Sequence, residues 1–205
     1  MQRDVSQILK KIEDFLFSQN SESVLLKKGG VSELKFSYLL IARLYERSRS
    51  MESEFSALWL DGNNSFNPFD LSEIARSFDI DPETILENVF ISRAFTSYQF
   101  SWLIFRRLNE ALENLEPEII VITGITSTFM DSEVPDFESR NLFNSVFSEL
   151  QNLQAEKESV LISIEPSGKY SDDFVKSNLE DMADAVLEVT GGGESVDLNF
   201  YENGF

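Results

Sequence analysis

The chain has 205 residues, 42% of them hydrophobic, which is enough for one ordinary to large domain with a sizeable core. It holds no cysteine and no histidine, which excludes thiol nucleophiles, disulfides, imidazole bases and the usual zinc sites, so any metal would need oxygen ligands alone. Net charge is −19, unevenly spread: the first 50 residues carry nine Lys/Arg against six acids, +3, so the other 155 carry −22 and repel a polyanion over most of their surface.

Residues 4–18 place Val5, Ile8, Leu9, Ile12, Phe15 and Leu16 at helical spacing, an amphipathic segment with no long apolar run. It reads as neither signal peptide nor membrane span, and the expected location is cytoplasmic, away from membranes. The expected division is a short N-terminal helix over 1–20 and a single core domain over 21–205. "VLLK" reads as a short buried strand, and 33–48 as a helix with Leu34, Tyr38, Ile41 and Tyr45 close to one face. "FSALWL" (55–60) is a second buried strand, followed by the turn-rich "DGNNSFNP". Two helices follow, "FDLSEIARSF" and "DPETILENV". In the second, Asp81 is the candidate N-cap and Pro82 the first helical residue, with Thr84 where a capping box wants Glu or Gln. "NVFISRAF" (88–95) is a third strand and 97–115 a long helix, on whose surface Arg106 and Glu110 are spaced as an i,i+4 pair. "EIIVITGI" (118–125) is the near-continuous apolar run of a central parallel strand. A helix over 138–155, a strand "SVLISIEP" (159–166) and a C-terminal hairpin in "DAVLEVTGGGESVDLNFYENG" complete the order. Strands alternating with helices predict an α/β fold, with any ligand off the carboxyl ends of a largely parallel sheet.

The first candidate site is "KKGGVSELKFSYLL". A strand, two glycines, a lysine and a helix are the layout of a phosphate-binding loop, in which backbone N–H groups wrap the phosphates, the lysine adds charge and a Ser/Thr hydroxyl binds magnesium. Aligned from Gly29, Leu34 stands at the second glycine, Lys35 at the lysine and Phe36 at the hydroxyl residue. The second is the end of "IIVIT", where Thr123 stands where a magnesium-holding acid would be needed. The third is Asp61, which ends a strand; a local role is expected there, because Asp and Asn bond nearby backbone in turns. The acids Asp131, Glu133, Asp136 and Glu138 match no metal loop and read as a solvated charge run.

Together these stretches resemble the core domain of the RecA/RadA recombinase family, in its archaeal and eukaryotic branch. The resemblance runs over roughly 24–202 and is carried by "LWLDGNNSFNPFDLSEIA", "IDPETILENVFISRAFTS", "IIVITGITSTF" and "ADAVLEVTGGGESVDLNF". It implies a RecA-like P-loop NTPase fold with a largely parallel central sheet flanked by helices and a C-terminal β-hairpin. It also implies that the family's water-activating glutamate falls at Asn63 and its magnesium-site aspartate at Thr123. With Leu34 and Phe36, all parts of the catalytic site are altered at once, and ATP hydrolysis depends on positioning and charge neutralisation. The family's two DNA loops fall at about 129–139 and 165–178, the first acid-rich and the second with only Lys169 and Lys176.

The leading expectation is a catalytically inactive recombinase paralogue, a pseudo-ATPase acting as accessory or scaffold in recombination and repair through protein contacts. Its partner would be an active RadA-type recombinase or another paralogue, in a homo- or hetero-oligomer. No cofactor and no metal are expected, and DNA binding is expected weak or absent. One alternative is a regulatory nucleotide binder without hydrolysis, using Gly29, Gly30 and Lys35. The other is a DNA-binding accessory subunit using the basic N-terminal third: Lys10, Lys11, Lys27, Lys28, Arg43 and Arg47.

Overall fold

The computed structural model describes residues 23–27, 31–129, 134–156, 160–165, 173–192 and 195–202; the amphipathic segment expected over 4–18 lies outside them. Strands β1 (Ser23–Lys27), β2 (Ala57–Asp61), β3 (Val89–Arg93), β4 (Ile119–Thr123), β5 (Val160–Glu165), β6 (Ala185–Gly192) and β7 (Ser195–Glu202) form one sheet in the order β3-β2-β4-β5-β1-β6-β7. All pairings are parallel except β6 with β7, the expected C-terminal hairpin.

The helices are α1 (Val31–Ser50), α2 (Pro68–Ser77), α3 (Pro82–Glu87), α4, α5 (Ile125–Phe129), α6 (Asp136–Glu156) and α7 (Asp173–Met182). Helix α4 is continuous but not uniform: α-helical Ser97–Trp102 and Asn109–Leu115 flank a π-helical stretch, Leu103–Leu108. The ion pair on its surface joins Arg107 to Glu110 at 2.9 Å, i,i+3, and not Arg106 to Glu110 as ideal helical spacing suggested. Residues three apart are neighbours on a helix surface as well as residues four apart, so helical spacing alone leaves both arginines as candidates for Glu110.

Helix starts follow the local chemistry. Asn67 caps α2, its side-chain oxygen accepting from Phe69 N–H at 3.0 Å, with Pro68 at the first helical position. Before α3, Asp81 takes no backbone donor through its side chain; the Thr84 hydroxyl donates to its carboxylate at 3.0 Å instead.

Strand alternation divides the core in two. Ala57, Trp59, Ile119 and Val121 face one side, under α1, α2 and α3. Leu58, Leu60, Ile120 and Ile122 face the other, under α4, α5, α6 and α7. β2 and β4 are therefore buried along their whole length on both faces, which explains their unbroken apolar sequence. α1 buries more than one stripe: Phe36, Ser37, Tyr38, Leu40, Ile41, Ala42 and Leu44 are all buried.

Candidate functional site

Parallel pairing brings the carboxyl ends of the strands to one edge of the sheet. Asp61 pairs in register with Thr123 on one side and Arg93 on the other. In this fold class the edge is where a ligand would sit. What occupies it here is a hydrogen-bonded knot made by the chain itself.

Its centre is the carboxylate of Asp61, which is fully buried. Oδ1 accepts from Ser65 N–H at 2.8 Å and from the Thr123 hydroxyl at 3.0 Å, with the Ser65 hydroxyl at 3.2 Å. Oδ2 accepts from Phe66 N–H at 3.1 Å and from Arg93 Nε at 3.4 Å. The Ser65 and Thr123 hydroxyls are themselves 3.1 Å apart. Burial alone pushes this carboxyl up. The donors from Ser65 N–H, Phe66 N–H and the Thr123 and Ser65 hydroxyls outweigh it and hold the group below the usual carboxylate range. A carboxylate has about four lone-pair sites, and this one meets five donor atoms. The residue is ionised and has no lone pair left for a cation.

The backbone around it is equally closed. Gly62 N–H donates to the Thr123 carbonyl at 2.8 Å. The Thr128 hydroxyl donates to the Gly124 carbonyl at 2.7 Å and lies 3.1 Å from the Gly62 carbonyl. Both glycines are required. A Cβ at Gly62 would lie 2.6 Å from Thr128 Oγ1 and 2.8 Å from the Thr123 carbonyl. One at Gly124, whose φ is +73°, would lie 2.7 Å from Asn63 Cβ. The turn between the loops' ends uses Asn64 at φ 55°, a left-handed position that asparagine tolerates.

Tyr38 ties α1 to this loop. It is fully buried, stacked on Trp59 at 5.2 Å and edge-on to Phe66 at 5.7 Å, and its phenol oxygen accepts from Asn67 N–H at 2.7 Å. Burial pushes the phenol up to about 12; the Asn67 N–H opposes this and the nearby Asp70 and Asp61 add to it.

The residues singled out in the sequence fall as follows. Phe36 is buried in the first core, and Leu34 packs half-buried against the same cluster. A bulky apolar group thus stands at the hydroxyl position of the phosphate-loop pattern. Lys35 is exposed near the start of α1, and Asn63 is exposed beyond Gly62. Thr123 is buried at the end of β4, donating to Asp61 rather than offering a charge. Gly29, Gly30, Lys10, Lys11 and Lys28 lie outside the described residues. Lys27 ends β1, in register between Glu165 and Glu188. Arg43 lies over the Phe78 ring at 5.4 Å and 3.3 Å from Glu46. Arg47 is exposed, and its charge pulls down the carboxyl of Glu118, which burial raises and to which the Ser48 hydroxyl also donates. Arg43 and Arg47 thus each have an acid nearby.

A magnesium ion does not fit the strand-end site: Asp61 is saturated, Thr123 brings no charge, and Asn63 is no base. Among the described residues, no three His, Cys, Asp or Glu residues come together as a metal-binding group. Nor, among them, is any helix long and apolar enough to cross a membrane.

Sequence reasoning found Asp61 and Thr123 but missed Ser65, Tyr38, Thr128 and Arg93 as their partners. Ser65 had a local signal, four residues after the aspartate, as in a side-chain turn. The others meet Asp61 or its loop only through strand pairing and helix packing.

Comparison with known proteins points to one family. The archaeal "DNA repair and recombination protein RadA" of Methanococcus voltae is 28% identical over 83 residues, 40% of this chain and 26% of that protein. The match thus spans about a quarter of that relative's length. The Rad51 family pattern matches residues 28–165, from the end of β1 through β5, and so takes in the glycine loop and the whole strand-end knot. The chain belongs to the Rad51 family and carries its RecA-like core.

Proposed function

We propose that this chain is a catalytically inactive recombinase paralogue, serving DNA recombination and repair in the cytoplasm as an accessory or scaffold protein. The observation that carries this reading is the saturated Asp61 carboxylate, with Thr123 donating to it where the resemblance implies a second acid. ATP hydrolysis needs a metal to neutralise the phosphates and a group to activate water. The strand ends here offer neither, and filling the site with the chain's own side chains makes it a rigid structural element. What remains is a kept fold with an acidic surface, suited to contact with proteins rather than with a nucleic-acid backbone. The partner on this reading is an active recombinase or another paralogue.

The test is paired. Deleting the gene should sensitise cells to DNA damage, and a variant carrying Lys35→Ala should restore resistance fully. If deletion leaves damage sensitivity unchanged and the purified protein binds no recombinase from its own cell, the reading is wrong.

One observation favours a second reading. Lys35 is exposed close to the start of a 20-residue helix, where a cation and the helix N-terminus could together hold a phosphate group without magnesium. A regulatory nucleotide binder would then lose ADP binding on Lys35→Ala. Absence of binding at millimolar nucleotide ends that reading.

A further inference from the structure

The amino ends of the strands lie at the other edge of the sheet from the Asp61 knot, and there the last turn of α1 is tied to the start of β4 through one buried serine. Ser48 is 2% exposed. Its carbonyl accepts from Met51 N–H at 3.1 Å and from Ser53 N–H at 2.9 Å, which closes the turn after the helix. Its hydroxyl stands between two acceptors, the Leu44 carbonyl at 3.1 Å and a carboxylate oxygen of Glu118. Glu118 is half-buried just before β4 and is held through its backbone as well: its N–H donates to the Ser56 carbonyl at 3.0 Å, and the Ser56 hydroxyl donates to the Leu115 carbonyl at 2.8 Å. The connection from α1 to β2 is thus stitched to the connection from α4 to β4.

A serine hydroxyl has one proton to give. While Glu118 is ionised, that proton serves the carboxylate or the Leu44 carbonyl, and the other acceptor goes without. When Glu118 carries a proton, both are served: the acid donates to Ser48 Oγ, and the Ser48 hydroxyl donates to Leu44. Burial acts in the same direction and raises this carboxyl, against the Ser48 hydroxyl and the charge of Arg47, which lower it; the net direction is up. Of the elements packed around Glu118, α1 brings Ser48 and Arg47. The start of β2 brings the Ser56 carbonyl, and the turn out of α4 brings Pro117 and the exposed Glu116, at φ 42°. Among the described residues, Arg47 is the charge that acts on the group.

We propose that Ser48 and Glu118 form a proton-operated clasp. With Glu118 neutral, the end of α1 is fastened to the start of β4. When Glu118 ionises the fastening loosens, and the turn after α1 opens more often. Because the folded carboxyl lies above its ordinary value, the stabilisation is fully present below that ordinary value and is lost as pH rises through the folded one. The Asp61 contribution has the opposite sign and a lower window, beneath ~4, so the two do not mask each other. The clasp uses no group at the strand-end site, so its failure would leave the reading of that site untouched.

Amide hydrogen exchange on the full chain, corrected for intrinsic rates and followed between roughly pH 5 and pH 8, tests it at the Met51 and Ser53 N–H groups. Their protection should fall as pH rises, by up to about tenfold for each pH unit that separates the folded titration of Glu118 from its ordinary one. Glu118→Gln keeps a donor towards Ser48 and cannot ionise, so protection should stay high across the range. Ser48→Ala should make it independent of pH. Carboxyl-carbon NMR of the native chain needs no variant and should show Glu118 titrating above an ordinary glutamate. Titration at or below the ordinary value overturns the proposal. So does protection that ignores pH in the native chain, or that falls equally in Glu118→Gln or in Ser48→Ala.

Discussion

The ends of β2 and β4 and the outer side of α4 are built from the same kinds of residue and are used in opposite ways. At the strand ends the Asp61 carboxylate and the Ser65 and Thr123 hydroxyls find partners inside the chain, and aromatic rings close the space behind them: Tyr38 on Trp59, with Phe66 edge-on to both. On α4 the rings of Tyr98, Trp102 and Phe105 are left facing outwards, with Arg106 beside them. The difference separates side chains that the fold pairs internally from side chains that it leaves to solvent. In this fold class a ligand would sit off the carboxyl ends of the strands. Here those ends are paired within the chain.

Substitutions should separate the two regions by size of effect. The largest is expected for Phe36→Ser, which restores the hydroxyl of a phosphate-loop pattern but removes a buried ring. It should cost about 3–5 kcal/mol of unfolding free energy, read by urea denaturation, and should yield no magnesium-dependent nucleotide binding, because Asp61 and Thr123 are unchanged. Recovery of such binding would break the view that the strand ends are closed.

Asp61→Asn comes next, at about 2–4 kcal/mol, since it removes a charge that five donor atoms surround and turns one acceptor into a donor facing donors. The pH dependence sharpens this. The folded carboxyl is held below its ordinary value, so its stabilisation is fully present above the unfolded value near ~4 and is lost as pH falls through the folded value beneath it. The gap between the native chain and Asp61→Asn should therefore be constant near neutrality and close in acid. A gap that widened in acid would contradict the assigned hydrogen bonds.

Gly124→Ala should cost about 1–3 kcal/mol, from a left-handed φ and a Cβ placed against Asn63. Smallest of all, Trp102→Ala should change the stability of the monomer by no more than about 0.5 kcal/mol. A large loss there would mean that the stripe packs against the fold rather than facing solvent.

The sequence reading caught what is local or periodic. β2 and β4 were legible because strands buried on both faces leave unbroken apolar runs, and α3 because Pro82 follows a capping candidate. Thr123 was legible as the polar end of a buried strand, the position at which the resemblance implies an acid. The Asp61 knot was not: Thr123 is 62 residues away, Arg93 is 32, and neither spacing has a local signature. The π-helical stretch was invisible too, because an apolar stripe alone does not report a one-residue change in turn. The aromatic face of α4 was hidden in a high phenylalanine count that reads first as core.

The most direct test of the central claim is a calorimetric titration of the purified chain with ATP, with and without magnesium. The account predicts no magnesium-dependent binding and no phosphate release above background, in the native chain and in Lys35→Ala alike. Magnesium-dependent binding that Lys35→Ala abolishes would contradict it, and would mean that the Asp61 knot opens to admit a nucleotide.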